Sequence, residues 1–453
     1  MEILNERDNF SSKLGIIAAA AGSAIGLGNI WKFPYMAGQN GGGAFIFVYL
    51  IAVLLMGYPL LYTEFALGRR GCSNAIDAFG KITGKKFLNI VGYLAVGTVF
   101  LVATFYAMIA GWVIYYFIIS ITGELYTITP NVELATHFET VFKTMNQNAV
   151  WPIIGMVIAV LATGFINFSG IKDGVEKYSK VLMPLLFVIF IVLIGYSMTL
   201  DGFTVAVNFL FKPDFSALTP GTIISAIGQA FFSLSLGMGL LVTYGSYVPK
   251  TENLRAISRQ VVIADTLIAI FSGLLIFPAV FTYGGSPAAG PSLLFEALPQ
   301  VFAQMPGGRW FGALFFLLVI VASITSMISI FEIIITCLLE KLHISRHKAT
   351  VIVVIAILVG SLINILGEGP WSHVTLNGST IFGFLDAITN NITIPLTGAL
   401  TAVIATWFWK YKNMEHELTS EGLYKSNVEG PIFFTLLKWV IPPIILALII
   451  TSL

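Results

Sequence analysis

The chain has 453 residues, 57% of them apolar and 10% charged, with a formal net charge of +1 and a mean hydropathy of +0.88. Soluble domains are roughly one quarter charged, so this composition excludes an ordinary water-soluble fold and predicts an all-α polytopic membrane protein, a single transmembrane domain over residues 1–453. The near-zero charge, with Lys and Arg in short loops rather than a basic stripe, excludes a nucleic-acid partner.

In chain order, Met1 to Ser12 is polar and lacks the apolar core of a removable signal, so the first span is expected to direct insertion. Apolar windows of about twenty residues, the length that crosses hydrocarbon, then recur. They lie at Leu14–Tyr35, Ala44–Leu67, Phe87–Ile121, Trp151–Phe168, Val175–Thr199, Thr222–Val248, Val261–Tyr283, Trp310–Leu339, Thr350–Leu366, Ile381–Trp409 and Ile432–Ile450, about eleven spans. Basic residues are retained on the cytoplasmic side. Arg7, Lys13, Arg69, Arg70, Lys81, Lys172, Lys177, Lys250, Arg255, Lys341, Arg346, Lys410 and Lys425 fall on one side, and little beyond Lys143, Lys212 and Arg309 on the other. The N-terminus is therefore expected in the cytoplasm and the C-terminus outside. Cys72 and Cys337 both fall near the cytoplasmic face, where a stabilising disulfide is not expected.

Two spans carry glycine at mid-length: Gly22, Gly26 and Gly28, next to Asn29, in the first, and Gly237 and Gly239, after Ser233 and Ser235, in the sixth. Each such glycine costs a helix roughly 1 kcal/mol, so a cluster at membrane depth marks backbone that leaves the helix. Freed carbonyls and amides are tolerated in a bilayer only where they line a cavity or meet a ligand. The broken spans lie five apart, which predicts an inverted repeat of five spans and five: repeat one about 13–200, repeat two about 219–409, and an extra helix about 431–453. The alternative is small-residue helix packing; it accounts neither for the polar neighbours nor for the matched positions.

The run Ala-Gly-Ser-Ala-Ile-Gly-Leu-Gly-Asn-Ile-Trp-Lys-Phe-Pro-Tyr ending at Tyr35, and Asn-Gly-Gly-Gly-Ala-Phe ending at Phe45, resemble the neurotransmitter:sodium symporter family over nearly the whole chain. The resemblance implies the leucine-transporter fold with broken helices 1 and 6. Many members have twelve spans and this chain has about eleven; its loop before Trp151 is short and lacks cysteine, which resembles the bacterial amino-acid transporter branch. The implied location is a prokaryotic inner (plasma) membrane. The implied partners are an amino acid, sodium ions at two sites and membrane lipid, with no organic cofactor and no obligatory protein partner.

The family likeness implies a first sodium site from the Ala24 carbonyl, Asn29, Ser233 and Asp265, with the substrate carboxylate as a further ligand. A second would use the Gly22 and Ile25 carbonyls with Ala322, Thr325 and Ser326. Residues three and four apart share a helical face, so these last three can converge; the alternative is that Thr325 and Ser326 bond back onto their own helix. The substrate carboxylate would meet the Leu27 and Gly28 amides and the Tyr106 hydroxyl; the amine would meet the Ala24, Phe232 and Ser233 carbonyls and the Ser235 hydroxyl. Monoamine carriers of the family place an aspartate where this chain has Gly26, which implies a ligand that brings its own carboxylate. Val102, Ile109, Met238, Met327 and Ile330, with Ser326 beside them, would form an apolar side-chain pocket that leaves a charged side chain unpaired. For each apolar residue the alternative is ordinary core packing, most of all for Ile109 and Met327.

Ionisable residues inside spans are costly and point to function. Lys32 with Asp386 is expected as an outer ion pair beside Gln229, and Arg7, Glu340 and Tyr247 resemble the inner gate. Glu64 is expected to cap amides freed at the sixth-span break. Gly174 and Pro184 resemble a segment of span five that unwinds to admit water to the second ion. Asp265 could replace a chloride ion near the first site and carry a proton on the empty carrier, or serve only as an ion ligand. Glu332 faces either a hydrated pathway or a neighbouring helix. The expected activity is sodium-driven uptake of aliphatic and aromatic L-amino acids by alternating access without chloride. The rival is an amino-acid-binding sensor or scaffold of the same fold without net transport. An enzyme is not expected: His137, His343, His347, His373 and His416 are scattered, and no nucleophile–base pair or phosphate loop occurs.

Overall fold

A computed structural model of the chain describes residues 9–128, 133–288, 290–424 and 429–452. Nine of its helices are long and apolar enough to cross a membrane, from Gly43–Gly71 to Gly430–Thr451. A tenth span is the pair Lys13–Ala24 and Gly28–Gln39, bent by 47°. The sixth span is split further, into Pro220–Ser233 and Leu240–Gly245. With that split segment the described residues hold eleven segments in the order the apolar windows predict, ten of them long and apolar enough to cross a membrane.

Polar caps set where the spans begin. Ser12 accepts the Gly15 amide at 3.1 Å, Thr219 the Thr222 amide at 3.1 Å and Asn253 the Ala256 amide at 3.0 Å, each satisfying a donor that the first helical turn leaves unpaired. Short helices between the spans, among them Ala75–Thr83, Leu134–Asn148 and Tyr411–Leu418, are additions to the predicted elements. Their faces mix apolar and charged residues, so no apolar window marks them.

Spans three and eight make the largest helix–helix contact, and spans four and nine pack on both. The two halves of span six lie along span two, and span one lies between spans seven and eight. The breaks in spans one and six are thereby held in the middle of the molecule. At the first break Ile25 turns to extended backbone, φ −78° and ψ 102°. At the second, Ser235, Gly237 and Gly239 take φ of +54°, +70° and +72°. Glycine is required at Gly237: an added Cβ would stand 2.3 Å from the Ile394 carbonyl oxygen of span ten, and left-handed φ is costly for any other residue.

Candidate functional site

Side chains of span six bond to carbonyls at the break in span one, that of Gly28 also taking the Phe33 amide. The Ser235 hydroxyl donates to the Ser23 carbonyl at 3.1 Å, and Gln229 Nε2 to the Gly28 carbonyl at 2.7 Å. From span two, Glu64 Oε1 accepts the Gly237 amide at 2.8 Å. Each is a buried polar group given a partner at a depth where water is scarce.

A cavity opens between the breaks, lined by Ser23, Ala24, Gly26, Gly28, Val102, Tyr106, Phe232, Ser235, Met238, Leu240, Ser326 and Ile330. Ser23 and Leu240 are additions to the expected set. Leu240 follows a left-handed glycine, where helical periodicity no longer tells which way a side chain points. Two expected wall residues are corrected: Ile109 and Met327 do not line the cavity and are packed into the core at 2% and 0% exposure. Leu27 and Ser233 stand behind the wall, the Leu27 amide donating to the Tyr106 hydroxyl at 3.1 Å. A Cβ on Gly26 would displace its neighbours, since it would come within 2.3 Å of Ser326 Oγ and 2.6 Å of the Tyr106 hydroxyl.

Beside the cavity, Asn29, Ser233 and Asp265 converge and are each 0–1% exposed. Asn29 Nδ2 donates to Asp265 Oδ1 at 2.7 Å and to Ser233 Oγ at 3.0 Å, and the Ser233 hydroxyl reaches both Asp265 carboxylate oxygens at 2.8 Å. The Tyr49 hydroxyl of span two adds a contact to Asp265 at 3.4 Å. Nothing in the sequence singled Tyr49 out among the aromatic residues of its span.

A second convergence lies where span eight meets the first break. The Ser326 hydroxyl is 3.2 Å from the Gly22 carbonyl and 3.4 Å from that of Ile25. Thr325 instead bonds back to the Val321 and Ala322 carbonyls at 3.2 and 3.0 Å. The two hydroxyls thus divide between the alternatives the sequence left open. A Cβ on Gly22 would lie 3.3 Å from Thr325 Cβ and 3.2 Å from Met183 Sδ, so span five also borders this point.

At the outer gate the expected direct contact is not made. Lys32 and Asp386 form no direct ion pair: the Lys32 ammonium stands 4.4 Å from the centre of the Phe232 ring, and Asp386 Oδ1 accepts from Asn390 at 2.5 Å. The aromatic face and the local amide each hold one of the charges, and Asp386 still attracts Lys32 through space. Arg7 lies outside the described residues. Glu340 accepts from the Asn74 backbone and side chain at 2.8 and 2.9 Å, whereas the Tyr247 hydroxyl donates to Glu332 at 3.0 Å. Glu332 therefore bonds neighbouring helices: it is fully buried, receives Asn167 Nδ2 at 3.1 Å and Thr336 Oγ1 at 3.0 Å, and pairs with both terminal nitrogens of Arg346. The segment holding Gly174 and Pro184, expected to be able to unwind, is helical in this conformation. A wide helical turn, Ile171–Glu176, runs into the helix Lys177–Ser197, and Glu176 at the junction accepts the Ser11 amide at 2.7 Å and the Ser12 hydroxyl at 2.8 Å. These bonds anchor the segment to the start of span one.

The family model described as the sodium:neurotransmitter symporter family matches residues 7–148 and 135–453. The chain belongs to the sodium:neurotransmitter symporter family. It is 38% identical over 447 residues to an uncharacterized sodium-dependent transporter of Bacillus subtilis (strain 168), covering 98% of this chain and 96% of the relative. A sodium-dependent transporter of Haemophilus influenzae, also uncharacterized, is 38% identical over 99% of this chain and 98% of its own length. Among solved structures, MhsT in complex with L-phenylalanine superimposes with a TM-score of 0.90 at 38% identity, covering 99% of this chain and 100% of that one. This symporter is therefore a sodium-dependent, multi-pass membrane transporter of the leucine-transporter fold.

Proposed function

We propose that this symporter couples an inward sodium gradient to the uptake of hydrophobic L-amino acids, aliphatic and aromatic, by alternating access. The observation that carries the reading is the cavity itself. Part of the wall is the Tyr106 hydroxyl, which accepts the Leu27 amide and keeps its own proton to donate to a carboxylate; another part is formed by Val102, Met238 and Ile330. A charged side chain would be buried there without a partner, and the adaptable Met238 suits ligands of different width. Gly26, where a Cβ would displace Ser326 and Tyr106, supplies no carboxylate that would receive a bare amine. The likeness to a protein solved with L-phenylalanine supports the same class of ligand.

Sodium takes hard oxygen ligands; Asp265 and Ser233 offer them directly, while Asn29, whose Oδ1 accepts the Gly26 amide, would have to turn its amide to present its oxygen. Asp265, Ser233 and Asn29 with the Ala24 carbonyl would hold one ion next to the substrate carboxylate. Ser326, Thr325 and the carbonyls of Gly22, Ile25 and Ala322 would hold another. A bound sodium supplies the charge that draws the carboxylate in, which ties substrate affinity to sodium. Asp265, ionised when it faces the bound ion, would supply the negative charge at the first site, so uptake needs no chloride. The end bearing Arg69, Lys250 and Lys341 is assigned to the cytoplasm, and the two repeats of five spans rock about the breaks.

The test is uptake of labelled phenylalanine and leucine into proteoliposomes under an inward sodium gradient. Accumulation above equilibrium that collapses with a sodium ionophore, and persists when gluconate replaces chloride, is expected. Binding without accumulation would make the protein a sensor. Asp265→Asn is expected to weaken sodium-dependent uptake at least tenfold in chloride-free buffer, since the negative charge that the ion faces is gone; undiminished uptake by that variant would show the carboxylate has no part in ion binding.

A further inference from the structure

Spans ten and eleven both widen where they meet, at the turns Ile404–Trp409 and Leu436–Val440. The Lys438 ammonium lies in that seam, 4.8 Å from the centre of the Trp407 ring, 5.1 Å from that of Trp439 and 5.9 Å from that of Phe434. A lysine inside a span is costly unless its charge reaches the interface or a partner. Here the side chain leans back toward the start of its helix, as helical side chains do, and Phe434, one turn earlier, packs on Tyr411 just past the end of span ten. The ammonium therefore stands level with the last turn of span ten, the depth of the headgroups at the end assigned to the cytoplasm. At the same turn Lys85 stands 4.7 Å from the centre of the Phe408 ring, and the exposed Lys410 follows it. None of these three lysines pairs with a carboxylate among the described residues, and Glu415, the first acid after Lys410, accepts the Tyr411 hydroxyl at 3.1 Å. Trp407 and Trp439 are 52% and 59% exposed, so the rings that hold Lys438 face outward.

We propose that this seam binds the headgroup of an anionic phospholipid, its phosphate drawn by Lys438, Lys85 and Lys410 and its glycerol and upper acyl carbons lying against Trp407 and Trp439. The proposal does not depend on which solute the cavity carries. Charge decides the occupant: each lysine at such a surface favours an anionic over a neutral headgroup about fivefold. A ring face offers an ammonium no oxygen, so the N–H donors of Lys438 stay available to a phosphate. A lysine that only reached for water would need no rings about it; here Trp407 and Trp439 pack edge to face, 5.5 Å between centres, and fix where the ammonium sits. Span eleven has the most to gain, since 28% of its apolar stretch is buried in the protein, and a lipid held in the seam ties it to span ten.

The test places the full chain in micelles holding equal amounts of phosphatidylglycerol and phosphatidylcholine with the same acyl chains, and counts the lipids it retains by native mass spectrometry. Retention of phosphatidylglycerol in clear excess is expected. Lys438→Gln and Lys85→Gln should each lower that preference about fivefold, and Lys438→Arg should keep it. Trp407→Leu should lower it too, because the ammonium loses a ring that holds it. Lys143→Gln, in the helix between spans three and four at the opposite end, should leave it unchanged. Lys85 lies in an exposed loop, so its variant reads the binding even where Lys438→Gln fails to fold. Equal retention of the two lipids by the natural protein overturns the proposal, as does a preference that survives the glutamine variants of Lys438 and Lys85 or falls as far in Lys143→Gln. A lipid-free dimer that Lys438→Gln dissociates would make the seam a contact between two copies and overturn it as well.

Discussion

Gly26 is the residue on which most of the site's close contacts depend. Its hydrogen lets Ser326 Oγ and the Tyr106 hydroxyl approach to distances that a Cβ would cut to 2.3 and 2.6 Å, and no real Cβ contact is that short. Gly26→Ala should therefore push Ser326 away from the Gly22 carbonyl and Tyr106 away from the Leu27 amide. Sodium-dependent phenylalanine binding is expected to fall at least tenfold, with little change in the level of folded protein; binding within twofold of the natural protein would show that the two hydroxyls yield freely. At this scale the motif around Gly22 to Tyr35 was legible because its glycines and Asn29 violate what a membrane helix wants. Tyr49 was not, because a lone tyrosine in a span has many unremarkable uses, and only coordinates show which atoms gain a partner. Ile109 and Met327 failed as pocket residues for the converse reason: an apolar residue one turn from the wall reads the same as one on it.

The breaks themselves are the decisive elements. Span six is held open by a carboxylate from another helix, Glu64 Oε1 accepting the Gly237 amide at 2.8 Å. Without it that amide would be a buried donor without a partner, which costs about 1–3 kcal/mol. Glu64→Ala should lower the thermal midpoint of the purified protein and weaken substrate binding, whereas Glu64→Gln, which keeps a carbonyl oxygen as acceptor, should recover much of both. Equal defects in the two variants would mean that the charge, and not the acceptor, matters. The positions of both breaks were readable from glycine spacing. Their supports were not, since Glu64 lies 173 residues from its partner and pattern within a helix says nothing of what approaches it from outside. The same limit explains Lys32 and Asp386, whose opposite charges suggested a pair that the helices do not bring into contact. It explains span five as well, where Gly174 and Pro184 permit unwinding while Glu176 holds the turn to Ser11 and Ser12.

Across the whole molecule, eleven spans could be counted from hydropathy because a bilayer demands length and apolarity of each in turn. How the spans lock together depends on a few buried charges. Arg346, at the start of span nine, pairs with Glu332 of span eight, and the same carboxylate takes bonds from Asn167 of span four and Tyr247 just beyond span six. The pair is 18% and 0% exposed on its two sides, so its worth lies in leaving neither charge alone. Removing one partner of a buried pair costs about 3–5 kcal/mol, while replacing both can be nearly neutral. Arg346→Ala should therefore destabilise the protein in detergent far more than the double replacement Arg346→Ala with Glu332→Gln, a non-additivity that a double-mutant cycle on thermal midpoints measures directly. Because Tyr247 joins the network from the broken span, the single variant should also free that end of span six, seen as faster labelling of a cysteine placed at Thr243 by a maleimide added from the face assigned to the cytoplasm. Additive midpoints and unchanged labelling would mean that the four spans are held together by packing alone, with Glu332 a passive guest among them.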